Sequence, residues 1–177
     1  MFNWNGSEDH LNGQHAKLAD VATEWLDDKQ RQAWMRFYGL LTLLPAELDT
    51  EMQRRCGITQ FEYTVMAALS ESPGHSLRIS RLATFAKGSL SRLSHLIKRL
   101  ERRGWVRREL DPDDGRYTNA ILTDEGYAKV VAIAPGQVDL VRRLVIDAIS
   151  PAQLRQLGEI SEKIIDGLHP GGDCPRS

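Results

Sequence analysis

Cysteine is scarce in this chain: Cys56 and Cys174 are the only two in 177 residues, far apart and without Cys-x-x-Cys or Cys/His ligand spacing. A disulfide framework and a structural zinc site therefore have no basis here, and both thiols are expected to be free. Long apolar runs are missing as well. No stretch approaches the ~18 residues of a membrane span, and Met1 to His15 lack the basic start and apolar core of a signal peptide. The expected location is the cytoplasm, away from membranes. There is also no Gly-rich phosphate loop, no nucleophile elbow, no His-Glu-x-x-His and no clustered His/Cys/Asp/Glu set. No enzymatic activity, metal or cofactor is expected. Net charge is nearly absent too, with 23 Lys and Arg against 24 Asp and Glu.

That near-neutrality hides a segregation. From Arg78 to Arg108 there are ten basic residues (Arg78, Arg81, Lys87, Arg92, Lys98, Arg99, Arg102, Arg103, Arg107, Arg108) and one acid, Glu101, so this window carries +9 and the remainder −10. Clustered Lys and Arg hold phosphates whatever the total charge, so the pattern suggests a polyanion-binding face on an acidic body. Within the window Leu90, Leu93, Ile97 and Leu100 recur at three- and four-residue steps and form one apolar stripe of a helix. The opposite face centres on Ser91, His95, Lys98 and Arg102, flanked by Arg92, Ser94 and Arg99, with Ser89 as expected N-cap and Gly104 as left-handed stop. Taken alone, such a basic face is more often simply solvated.

Its neighbours change the reading. Ser80 is placed to cap a short helix over 81–86, and a hairpin signal follows the basic helix: a strand over 105–110, a turn at Asp111-Pro112-Asp113-Asp114-Gly115 and a strand over 116–122. Helix, turn, basic helix, hairpin is the order of a winged helix-turn-helix, whose second helix enters the major groove of double-stranded DNA.

At these residues the sequence resembles the MarR-type transcriptional regulators of bacteria. The resemblance is carried by Leu77-Arg78-Ile79-Ser80-Arg81-Leu82-Ala83, by Ser89 to Gly104 with Trp105-Val106, by Asp111-Pro112-Asp113-Asp114-Gly115-Arg116, and by Leu122-Thr123-Asp124-Glu125-Gly126. It extends more loosely over about 25–168. It implies a mainly α fold with a small β-hairpin wing, a winged helix-turn-helix flanked by N- and C-terminal dimerisation helices. It also implies a homodimer, a pseudo-palindromic operator that the protein represses, and relief by a small aromatic effector. The DNA-binding set then comprises Ser91, Arg92, Ser94, His95 and Lys98 toward the groove, with Ser89 at the helix start; Lys87, Arg99 and Arg102 toward phosphates; and Arg116 at the wing tip, braced by Asp114.

The remaining chain divides accordingly. Residues 1–18 are polar and expected to be poorly ordered, 19–168 form one winged-helix domain, and 169–177 form a flexible tail. Inside the domain 57–122 is the DNA-reading unit, while 19–56 and 123–168 supply the dimerisation helices. The first of these is densely apolar around Leu40 to Leu44, and Pro45 predicts a kink or break in it. Thr59-Gln60-Phe61-Glu62 matches a capping box ahead of a core helix ending near Ser70. His75 falls in a turn and is expected to be exposed. Thr123 caps the next helix, Pro135-Gly136 is expected to interrupt it, and Ser150-Pro151 opens the last. Trp25, Trp34, Met35, Phe37 and Tyr38 are candidates to line an effector crevice, with burial in a dimer core as the plainer alternative. Cys56 is expected to be a packing residue. The alternatives are a thiol-based redox-sensing regulator in which Arg54 and Arg55 activate Cys56, and a winged-helix protein-interaction module without DNA binding.

Overall fold

The computed structural model describes residues 24–85, 90–112 and 114–168. The expectations for 1–18, for 169–177 and for Cys174 fall outside these residues. The chain divides into two compact units, the first ending at Thr42 and the second beginning at Leu43.

Helix α1 runs unbroken from Asp28 to Cys56. Pro45 lies inside it without ending it: the ring's fixed φ suits a helix, and Pro45 is exposed, so the carbonyl one turn earlier that loses its amide donor is met by water. In the first unit the helix presents Trp34, Met35, Tyr38, Leu40 and Leu41 to solvent, with Trp34 and Tyr38 ring centroids 5.8 Å apart.

The second unit holds the core. Helix α2 (Gln60–Ser70) starts with the expected capping box: the Thr59 hydroxyl accepts from the Glu62 amide and the Glu62 carboxylate accepts from the Thr59 amide. Strand β1 (Ser76–Arg78) leads into α3 (Ile79–Phe85), and α4 (Leu90–Arg102) follows. Because α3 begins at Ile79, Ser80 lies within it and is not its cap. The β1 pairing makes Arg78 the last extended residue, and a three-residue strand is too short to leave a period-two signal. Gly104 stops the turn after α4 with φ +74°, as its position predicts.

Strands β2 (Val106–Leu110) and β3 (Thr118–Leu122) form the wing, paired antiparallel from Val106 opposite Leu122 to Leu110 opposite Thr118. The sheet order is β1-β3-β2. Helix α5 (Asp124–Leu144) is capped by Thr123 and continuous through Pro135, which corrects the expected interruption: Pro135 and Gly136 are both exposed, so no buried carbonyl is orphaned there. It ends at Leu144 and is followed by a turn of 3-10 helix (Ile146–Ala148). Helix α6 (Pro151–Leu168) opens on a second capping box, in which the Ser150 amide donates to Gln153 Oε1 and the Gln153 amide to Ser150 Oγ.

One apolar cluster unites the second unit. Val65, Met66 and Leu69 of α2, Leu93, Leu96, Ile97 and Leu100 of α4, Val106 and Leu122 of the wing, and Val130 and Ile133 of α5 are all buried. Of the stripe read from the sequence of α4, Leu93, Ile97 and Leu100 are buried, joined by Leu96. Burying them fixes the rotation of the helix and turns the basic face outward.

Candidate nucleic-acid interface

On α4 the side chains of Ser91, Arg92, His95, Lys98, Arg99 and Arg102 are exposed and Ser94 is half-buried. Lys87 and Ser89 fall outside the described residues. His95, Lys98, Glu101 and Arg102 line, with Arg108 of β2, a concavity of about 600 Å³ between the helix and the wing. Its charge is less extreme than the sequence count suggests. Arg108 pairs with Glu101 at 2.8 Å, Arg107 with Glu109, and Arg78 with Asp111 at 2.7 Å. Among the described residues Lys98 and Arg102 have no acidic partner, so they carry the local positive field.

The wing tip has the geometry its sequence predicts. Arg116 Nε lies 2.9 Å and 3.2 Å from the two Asp114 carboxylate oxygens, Nη2 donates to Oδ2 at 2.7 Å, and the Arg116 amide donates to Oδ1. This is a two-pronged, charge-assisted pair. The guanidinium, first, and then the backbone amide hold the Asp114 carboxyl below the usual carboxylate range. The Arg116 side chain remains 84% exposed, so the brace aims it into solvent without burying it.

Two further ion pairs set this surface, and neither was visible in the sequence. Arg78 Nε donates to the nearly buried Asp111, whose other oxygen accepts from the Asp114 amide, and the Arg78 guanidinium lies 4.5 Å from the Tyr117 ring centroid. The base of the wing is thereby tied to β1. Arg99, expected toward phosphates, instead donates Nε to Glu62 Oε1 at 2.6 Å, and Arg103 Nη1 stands 3.9 Å from the same oxygen. Arg92 lies over the Phe61 ring at 5.0 Å. Burial pushes the Glu62 carboxyl up, but the Thr59 amide and Arg99 outweigh it and hold the group below the usual carboxylate range. The partners lie 33 and 37 residues apart, a separation at which no local pattern signals a pairing.

The other candidates sit elsewhere. Trp25, Trp34, Met35 and Tyr38 are exposed and Phe37 is half-buried, with Trp34 and Phe37 ring centroids 6.3 Å apart. Cys56 is half-buried against the core. Arg54 and Arg55, the cations offered to it by the sequence, both bond Glu51 instead, at 2.9 Å and 2.8 Å. His75 is not freely exposed: it is half-buried, with Nδ1 2.9 Å from the Ser70 carbonyl oxygen and its ring 4.9 Å from that of Tyr127.

Known proteins share this architecture. Residues 58–118 match the MarR family model. Sco3205, a MarR family transcriptional regulator from Streptomyces coelicolor whose crystal structure is a complex with DNA, is 43% identical over 86% of this chain and 95% of its own, with a TM-score of 0.81. AbsC, a MarR family transcriptional regulator from the same organism, is 38% identical over 82% of this chain and 98% of its own, with a TM-score of 0.78. The transcriptional repressor MprA of Escherichia coli is 25% identical over 122 residues, 69% of each chain.

Proposed function

The chain belongs to the MarR family of transcriptional regulators, and on that premise we propose that it is a homodimeric, sequence-specific repressor that binds a pseudo-palindromic operator and is released by a small aromatic effector. The observation that carries the reading is the outward face of α4. Its apolar side is locked into the core, which leaves Ser91, His95 and Lys98 exposed, with Arg92 over Phe61 and Ser94 half-buried at the edge of that face, and the wing adds a braced arginine. A helix held that way fits the major groove, with Lys98 and His95 toward base edges and Arg102 and Lys87 toward phosphates. Arg116 then meets the adjoining minor groove, whose negative potential deepens where it narrows.

The dimer is supported by surface that one chain leaves uncovered. Trp25, Leu26, Trp34, Leu40, Leu41 and Leu43 toward the start of the chain and Ile160, Ile164 and Leu168 toward its end are exposed, large apolar side chains of the kind a second subunit covers. A two-fold axis also supplies two reading helices for two half-sites about 10 bp apart. The aromatic group of α1 suits either that interface or an effector crevice. Absence of catalytic motifs and the character of the relatives fit a regulator and not an enzyme. Selection from a random-sequence duplex pool tests the reading: it expects enrichment of an inverted repeat with half-sites about one helical turn apart. Recovery of unrelated sequences would remove the operator from the account.

A further inference from the structure

The first turn of α2 grips the reading helix along most of its length. Phe61 lies under Arg92, and Glu62 holds Arg99 at 2.6 Å and reaches Arg103 at 3.9 Å. From Arg92 to Arg102, the last residue of α4 and the one before Arg103, is about 15 Å of helix axis. Glu62 itself has little freedom. It is 2% exposed, and its second oxygen accepts from the Thr59 amide at 2.7 Å and from the Thr59 hydroxyl at 3.1 Å. The turn that carries it is fixed in turn to α1, since Asp49 Oδ1 accepts from the Gln60 amide at 2.8 Å.

A carboxylate taken out of water is costly unless each oxygen is met, and an apolar side chain of similar volume usually serves stability as well. What the ion pair adds is direction: a planar guanidinium held at Nε has one orientation relative to its partner. We propose that Glu62 is a positioning residue for DNA reading. Acting through Arg99, it sets the rotation and depth of α4, so that Ser91, His95 and Lys98 meet base edges in register, and it withdraws Arg99 from the side chains that neutralise phosphate. This rests on the reading that α4 enters the groove. It explains why an acid stands beneath the basic face that the function requires.

Positioning and phosphate contact differ in what they leave intact. Phosphate contacts supply affinity for any duplex, whereas register matters only for base contacts. The experiment uses the full chain and two labelled duplexes of about 30 bp, enough for two half-sites: one selected from a random pool by the wild-type protein, the other its scrambled counterpart. Wild type, Glu62→Gln, Arg99→Lys and the double variant are titrated at several salt concentrations, with folding followed by circular dichroism. Arg99→Lys keeps the charge and loses the fork.

Glu62→Gln and Arg99→Lys are each expected to lose about tenfold in affinity for the selected duplex. In Arg99→Lys the affinity for the scrambled duplex and the salt slope should stay at wild-type values, in Glu62→Gln, which frees the Arg99 cation, neither should fall, and the double variant should be no worse than either single one on the selected duplex. Should Glu62→Gln not fold, Arg99→Lys decides alone, its side chain being 45% exposed. Wild-type discrimination in Arg99→Lys overturns the inference. So does a parallel loss on both duplexes with a slope reduced by about one, which would make Arg99 a phosphate contact. A wild-type protein that binds neither duplex defeats the functional reading itself, a distinct result.

Discussion

Arg116 and Asp114 are two residues apart across the wing turn, and the resemblance to the MarR-type wing is what implied their pairing. The salt bridge is exposed, so its value lies in aim and not in fold stability. Arg116→Ala is expected to weaken operator binding by about tenfold and leave thermal unfolding unchanged, and Asp114→Ala to cost less, because the cation survives without its brace. The double variant should match Arg116→Ala in a mutant cycle read by fluorescence titration. Full affinity in Arg116→Ala would take the wing out of the mechanism. Arg99 and Arg78 were legible as basic residues but not as partners, since the chain brings Glu62 and Asp111 to them from far away. Pairing makes Glu62 a pH-dependent group. Its folded carboxyl is held below the usual range, so its contribution is fully present above the unfolded value near ~4.3 and is lost as pH falls through the folded one. Thermal melts of wild type and Glu62→Gln should therefore differ by a constant amount from neutrality to about pH 5 and converge at more acid pH. A gap that widens on acidification would contradict the assignment.

Elements were legible where a cap and a period coincided. Thr59, Thr123 and Ser150 each begin a helix through the side-chain bond their sequence signature predicts, and Leu93, Ile97 and Leu100 of the α4 stripe are buried. Proline misled twice. Pro45 and Pro135 both lie inside continuous helices, because each ring sits at the exposed side, where the lost donor is cheaply replaced by water. Strand β1 was missed for its length, and its existence depends on β3, which lies far along the chain. The joint between wing and α5 is the tightest of these connections. Thr123 Oγ1 donates to the Gly104 carbonyl at 2.7 Å and accepts from the Gly126 amide at 3.0 Å, while its own amide donates to the Trp105 carbonyl. A Cβ on Gly126 would overlap that Trp105 oxygen and come within 2.8 Å of Leu122 Cδ1. Gly126→Ala should accordingly lower stability by about 1–3 kcal/mol, seen as a lower urea midpoint at unchanged slope. An unchanged midpoint would mean that α5 shifts freely against the wing.

At the scale of the whole molecule, the charge segregation pointed to the surface of α4 and the wing and overstated its charge, because five of the basic residues described in that window pair with carboxylates. Dimerisation was implied by the resemblance, and the exposed Ile160, Ile164 and Leu168 of α6 leave apolar surface for it. A chain truncated at Ser150 should aggregate or lose DNA binding, whereas a soluble, DNA-competent monomer by sedimentation would refute a dimer built on its terminal helices. The central claim is that α4 holds DNA through Lys98 and Arg102, which have no acidic partner among the described residues, while the wing reaches it through the braced Arg116. Its most direct test is the salt dependence of binding to a selected duplex. The logarithm of the affinity should fall linearly and steeply with the logarithm of salt, and Lys98→Ala or Arg102→Ala should each lower that slope by about one. An affinity indifferent to salt, or a slope unmoved by both substitutions, would contradict it.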